Sequence, residues 1–190
     1  MTRRLAPLSP AELSTTQREL YDAIAGGPRA RNGSPFPLVD ADGGLQGPFN
    51  AMLLQPSVGT ALQALGSAIR YEALLDTRCR EIAVLTVARA WDSAFERYAH
   101  EAVARTAGMS AAEVSALRDG DPTAFPDPRE QLVLQVSEAL AVRRDLTDEE
   151  YTRAADGLGL PVLFELTTLV GYYATLALQL RAFRVPAPPS

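Results

Sequence analysis

The stretch REIAVLTVARAWDSAFERYAHEAVARTAGMSAAEVSALRDG, Arg80 to Gly120, decides how this chain is read. Its apolar residues recur at helical spacing, and no part of it alternates convincingly at period two. One helix is expected from a cap at Asp76 to Ala90, with Ile82, Leu85 and Val84 or Ala88 facing inward. A second is expected from a cap at Asp92 or Ser93 to Ala107, with Gly108 at its C-terminal end. Ser110-Ala-Ala-Glu113 is a capping box that opens a third.

The only histidine of the chain, His100, lies on the second helix. Ser93, Glu96 and His100 fall at i, i+3 and i+7, so they share one face, and Glu96 and His100 form an i, i+4 pair. If the two helices form an antiparallel hairpin bent near Trp91, Glu81 stands about 15 Å before the bend and His100 about 13.5 Å after it. Two carboxylates then converge on one imidazole. A nearby carboxylate stabilises imidazolium and fixes which ring nitrogen carries the proton, which suits proton transfer beside an anionic or enolisable substrate. Surface charge pairing would use the same spacing, and spacing alone leaves both readings open. Glu81, Glu96 and His100 offer too few imidazoles for zinc, and neither metal nor cofactor is expected.

Outward from this stretch the chain stays helical. Ser9-Pro10 with Glu12 signals a first helix, striped by Leu13, Gln17, Leu20, Tyr21 and Ile24 and ended at Gly26-Gly27-Pro28. Residues 26–47 read as a long loop with apolar residues (Phe36, Leu38, Val39, Leu45) spaced through it. Those residues predict that the loop lies against a surface, of this chain or of a neighbouring subunit. A short helix follows Gly47-Pro48, and another begins near Ser57, with Val58, Leu62, Leu65, Ala68 and Ile69 as its inward stripe. Beyond Gly120 the pattern predicts a helix from Arg129 to about Arg143 and a second capping box at Thr147-Asp-Glu-Glu150. The helix it opens ends near Gly157-Leu-Gly159, and the longest apolar helix then runs from Pro161 to Val185. No strand signal appears. The fold class is all-α, with about eight or nine helices, divided into an N-terminal helix and loop extension (1–46), a helical domain (47–185) and a disordered tail (186–190).

A shift of 49 positions lays REIAVLTVARA (Arg80 to Ala90) on REQLVLQVSEA (Arg129 to Ala139), with six of eleven residues identical and Gly108 falling on Gly157. Two hairpins of one ancestral type, or chance between amphipathic helices, would produce this. Only the first copy has a histidine.

Bulk composition narrows the function classes. A chain of 190 residues, 47% hydrophobic and 22% charged, can bury a sizeable core. Its net charge of −5 argues against nucleic acid and against an anionic membrane surface as partners. Val162 to Leu180 is nearly long enough to span a bilayer, but Glu165, Gln179 and three threonines favour a buried core helix. A single cysteine, Cys79, rules out an internal disulfide and suits a reducing cytosol. The N-terminus lacks the apolar segment of a secretory signal, so a cytoplasmic protein is expected.

The residues RCREIAVLTVARAW and FERYAHEAVARTAGMSAAEVSALRDGD resemble the carboxymuconolactone decarboxylase family, within the alkylhydroperoxidase D-like superfamily. The features concerned are Arg78, Arg80 and Glu81, then Glu96, His100, Ala104 and Gly108, then Ser110 and Gly120. GPFNAMLLQPSVG and ELTTLVGYYATLA are similar to longer members, so the resemblance covers about 47–185. Peroxidase members carry C-x-x-C-x-x-x-H on the second helix. Here the matching positions are Ser93, Glu96 and His100, with Glu81 as the upstream glutamate. Without those thiols there is no nucleophile for a peroxide, and Cys79 does not replace them.

What remains resembles the cysteine-free decarboxylase branch. The resemblance implies a cofactor-free lyase acting on a small carboxylated lactone or related acid. His100 would be the acid, held by Glu96 or Glu81, while Arg78 and Arg80 grip a carboxylate and Ser93 lines the substrate site. Arg97 reads as a surface charge. An isomerase or cyclase, or a binding protein on the same scaffold, are the alternatives, with thiol peroxidase activity last. The family also implies a homo-oligomer, a trimer or hexamer.

Overall fold

The structure is a computed structural model that describes residues 3–31, 33 and 36–188. Everything is arranged around α5 (Thr77–Ala90), whose ten residues from Cys79 to Ala88 are all buried. Asp76 caps it by accepting a hydrogen bond from the Cys79 N–H at 2.9 Å. A helix buried on every side carries apolar or small residues all round, and Ile82, Ala83, Val84 and Val87 have no exposed surface. Each buried valine or isoleucine contributes about 2 kcal/mol of transfer free energy.

Four helices wrap α5: α6 (Ala94–Thr106), α7 (Ala111–Asp119), α8 (Pro128–Glu138) and α10 (Leu160–Ala182). The bend from α5 to α6 is tight, with Asp92 at φ +48° and the Ser93 N–H donating to the Ala88 carbonyl. The capping boxes at Ser110/Glu113 and Thr147/Glu150 both form, the second opening α9 (Asp148–Leu158). After α8 the chain widens into a π-helical turn, Ala139–Arg143, that ends on Arg144 at φ +67°. Among the described residues the one strand-like feature is an isolated bridge, Val39 to Leu45. The all-α expectation stands.

Several local expectations need correction. Ser9 makes no capping hydrogen bond; Pro10–Glu12 is a 3-10 turn, and the extended Leu13 breaks the path. The first α-helix, α1 (Thr15–Ala25), starts instead at Ser14, because Ser14 and Gln17 satisfy each other's backbone N–H groups in a capping box. A single turn, α2 (Pro28–Arg31), follows within the loop, and another, α3 (Phe49–Met52), after it.

In α4 (Pro56–Tyr71) the inward face is only partly the expected stripe, since Leu62 packs against the core and Ile69 is in it, but Val58 and Leu65 are not. Gly59, Gln63, Gly66 and Ile69 are buried, while Val58 is 60% exposed and Leu65 38%. The glycines explain the rotation. A Cβ at Gly59 would lie 2.3 Å from the Met52 carbonyl oxygen, and one at Gly66 2.1 Å from the Tyr172 hydroxyl. Close approach to α3 and α10 therefore sets the face of α4. Finally, α10 closes at Ala182 rather than Val185.

The described residues of the 26–47 loop lie on their own chain. Phe36, Leu38 and Leu45 are buried in the core cluster that also contains Leu20 and Ile24 of α1. The Phe36 ring meets Phe95 edge-on at 5.0 Å. Asn50 pins the N-terminal segment by accepting from the Leu8 N–H and donating to the Ala6 carbonyl. The expected disordered tail falls partly on 189–190, outside the described residues. α10 is long and apolar enough to cross a membrane by length and composition, and half of its apolar window is buried inside the fold. Its Glu165 carboxylate accepts from the Leu74 and Leu75 N–H groups.

Candidate active site

His100 and Glu81 stand at one height on the α5–α6 hairpin, and their side chains meet. His100 Nδ1 lies 2.6 Å from Glu81 Oε2. On the other side of the ring, Nε2 lies 3.4 Å from Glu96 Oε2, one helical turn away. All three side chains are buried, Glu81 completely. Arg80 completes the inner layer: its Nε lies 3.2 Å from Glu81 Oε1 and its Nη1 donates to the Arg70 carbonyl.

The electrostatics follow from this packing. Burial alone would push the His100 pKa down, but the charge and hydrogen bond of Glu81, helped by Glu96, raise it to about 9. Burial would push the Glu81 carboxyl up, and His100 and Arg80 outweigh it, so Glu81 stays ionised. With its pKa raised to about 9 the ring is held as an imidazolium, its Nδ1 engaged by Glu81 and its Nε2 on the side of Glu96.

A narrow cavity, about 30 Å³ measured as room for the centre of a water, opens in front of the ring. Glu96 and His100 form part of its wall, with aromatic side chains from α10 (Tyr172, Tyr173), α3 (Phe49) and α6 (Phe95). Tyr173 meets the His100 ring edge-on at 5.0 Å. Burial pushes the Tyr172 hydroxyl up to about 12 and that of Tyr173 well above its ordinary value, so both are neutral hydrogen-bond donors. Glu96 Oε1 is buried with no hydrogen-bond partner among the described residues. A buried carboxyl oxygen left without a partner beside a cavity is where a polar ligand is expected.

The structure thus brings His100, Glu96 and Glu81 together, with Arg80 behind Glu81. It does not bring Arg78 to the cavity. The Arg78 guanidinium faces α7 and α8, with Glu130 at 2.6 Å and Glu113 at 2.6 Å. Ser93 stands at the start of α6 with its hydroxyl buried and unpartnered, but it is not among the cavity-lining residues. Arg97 pairs with Asp92 at the surface. The Cys79 thiol is buried and pushed up to about 12, first by burial and then by Asp76, so it is no thiolate at neutral pH. Among the described residues no cluster of three or more His, Cys, Asp and Glu side chains is arranged to hold a metal ion.

Two cationic side chains of the wall carried no signal in the sequence: Arg29 of α2 and Arg70 in the last turn of α4. Each reads alone as an ordinary charge on a loop or helix end. Only the folded extension places Arg29, Phe36 and Leu38 in the wall of the cavity.

No protein-family model matches the sequence, and no curated protein matches it. Solved structures do match in fold. A cysteine-to-alanine variant of the debrominase Bmp8, in complex with 2,3,4-tribromopyrrole, superposes with a TM-score of 0.74 at 14% identity, over 99% of this chain and 93% of that one. The apo form of Bmp8 gives 0.72 at 14% identity, over 96% and 90%. The likeness shows a shared all-helical fold that spans nearly both chains.

Proposed function

We propose that the protein is a cofactor-free enzyme of the carboxymuconolactone decarboxylase type, acting on a small enolisable carboxylated lactone or related acid. The observation that carries this reading is the His100 ring, held by Glu81 at 2.6 Å and facing Glu96 at the wall of a small cavity. Loss of CO2 from such a substrate leaves an extended enolate. His100 then donates the Nε2 proton to its carbon, and the neutral imidazole recovers a proton from solvent through Glu96. The Tyr172 hydroxyl supplies a hydrogen bond where negative charge develops on oxygen. Glu81 positions the ring and keeps it charged, as a buried carboxylate does for a histidine that must hold one tautomer. The same groups serve an isomerase or cyclase if CO2 is retained.

The fold neighbour adds a hint about shape. Bmp8 was solved with a small, flat, halogenated pyrrole, and a flat ring of that size suits the aromatic walls here. Debromination as such has less support, because the cavity-lining residues include no cysteine.

The proposal extends to a homo-oligomer, a trimer or hexamer, in the cytoplasm. Its support is the outer stripe of α10: Leu160, Phe164, Thr167, Gly171, Thr175 and Leu178 are exposed and uncharged, with Phe164 at 74%. Light scattering should give a mass of several chains, reduced in F164E. A monomeric wild type would end this part.

The activity test is H100N against a panel of unsaturated carboxylated lactones, followed by CO2 release and by deuterium uptake from D2O. Turnover should fall about a thousandfold with the melting temperature little changed. Wild-type rates in the variant, or no conversion by the wild type, would overturn the reading.

A further inference from the structure

We infer that Arg29 and Arg70 form an anion subsite in the cavity wall, which takes the carboxylate of a small planar acid. The inference rests on the acid–base reading above, because it uses the same cavity, and it assigns the grip to residues other than Arg78 and Arg80.

The assignment comes from comparing the guanidiniums. Arg78 is committed to Glu130 and Glu113, Arg80 to Glu81, and Arg105 and Arg118 to Glu101. Arg29 and Arg70 both line the cavity, and neither has a carboxylate partner among the described residues. Arg29 Nε is buried without a hydrogen-bond partner among those residues. Its Cζ lies 5.3 Å from the Phe49 ring centroid, so one face of the guanidinium is covered while its edge stays available. Gly66 makes room for this arrangement, since a Cβ there would come within 3.0 Å of Arg29 Nη2. The positive field of Arg70 helps hold the Glu81 carboxyl low, which puts that guanidinium within electrostatic reach of the catalytic pair.

The local charge completes the case. The cavity wall carries Arg29, Arg70 and the imidazolium against the single carboxylate of Glu96, while behind it Glu81 is matched by Arg80. A cationic surplus thus sits inside a protein whose net charge is −5. Arg29 and Arg70 are half-buried without a carboxylate partner among the described residues, and a bound carboxylate with forked hydrogen bonds to guanidinium would supply one. The aromatic side chains beside them select a flat ligand, and the narrow space a small one.

The test is calorimetric titration of the full chain with 2-furoate and with 2-furamide, which has the same ring and a neutral head. Furoate should bind at least about tenfold more tightly than furamide, and R29Q and R70Q should each weaken furoate by about tenfold while leaving furamide unchanged. If R29Q fails to fold, R29K, which keeps the charge and loses the fork, should show an intermediate loss. Equal binding of the two ligands, no binding of furoate, or unaltered furoate binding in the arginine variants would overturn the subsite. H100N separates the two claims. The subsite predicts that H100N keeps the preference for furoate over furamide, and loss of that preference counts against it. Unchanged turnover in H100N would remove the acid–base reading and leave the subsite standing.

Discussion

Glu81 on α5 and Glu130 on α8 occupy equivalent places in the 49-position repeat, on two helices that pack against each other. Both are buried, and both hold a cation. Glu130 accepts from Arg78 at Nε and again at Nη2. Glu81 has His100. The difference lies in the partner. A guanidinium never gives up its proton in the accessible pH range, so the α8 pair only ties helices together. An imidazole can give its proton up, so the α5 pair can act on something. One carboxylate position, repeated, holds a permanent cation in one copy and a titratable one in the other.

The sharpest way to break this contrast is to change each glutamate to glutamine. E81Q should lower turnover by about a hundredfold to ten-thousandfold, while E130Q should leave turnover of the folded protein near wild type, as read by initial rates normalised to folded fraction. Comparable losses in both would erase the distinction.

The pH profile sharpens it further. The folded-state pKa of His100 is raised to about 9, above the ordinary 6.5, so turnover that needs imidazolium should fall as pH rises through about 9. The stability contributed by its partners is fully present below about 6.5 and is lost as pH climbs towards 9. In E81Q the alkaline limb should move down towards 6.5. A limb that stays put would show that another group sets it.

On the structural side, R78M strands Glu130 without its guanidinium. The cost should be about 2 kcal/mol in urea denaturation, less than for a fully buried pair because the Arg78 side chain is 28% exposed. Any turnover of the folded protein should not move.

The smallest effects concern the two glycines the repeat aligns. Gly108 sits at φ +88° with open space where a Cβ would go, so G108A should cost about 1 kcal/mol of backbone strain alone. Gly157 has no such φ, and its added Cβ would meet only the movable Leu132 Cδ2, so G157A should change stability by less than about 0.5 kcal/mol. The left-handed residue that ends α9 is Gly159.

Much of this was legible in the sequence, for reasons that differ by residue. The Glu81–His100 meeting follows from counting helical rise on both sides of Trp91, because a hairpin of two regular helices has little freedom in register. The capping boxes at Ser110 and Thr147 form as read, since their hydrogen bonds are local. The face of α4 was not legible, because period counting rewards Val58 and Leu65 and ignores glycines that matter only once Met52 and Tyr172 press against them. The first helix start was misplaced because Pro10 imitates a helix opening that the box at Ser14 wins. Arg29 and Arg70 lie far from the His100 motif in sequence, and only tertiary packing brings them to it.

The burial of α5 from Cys79 to Ala88 also governs how the site can loosen. Amide hydrogens from Cys79 to Ala88 lie in a helix with no face open to solvent, so their exchange with deuterium should require global unfolding rather than fraying. The peptide bearing Glu81 should therefore be among the slowest to exchange, and the peptide bearing Arg29, on a four-residue turn with no buried residue, among the fastest. On that order of opening, the Glu81 carboxylate should stay in place while the wall that Arg29 forms exchanges, so that a ligand enters without parting Glu81 from His100.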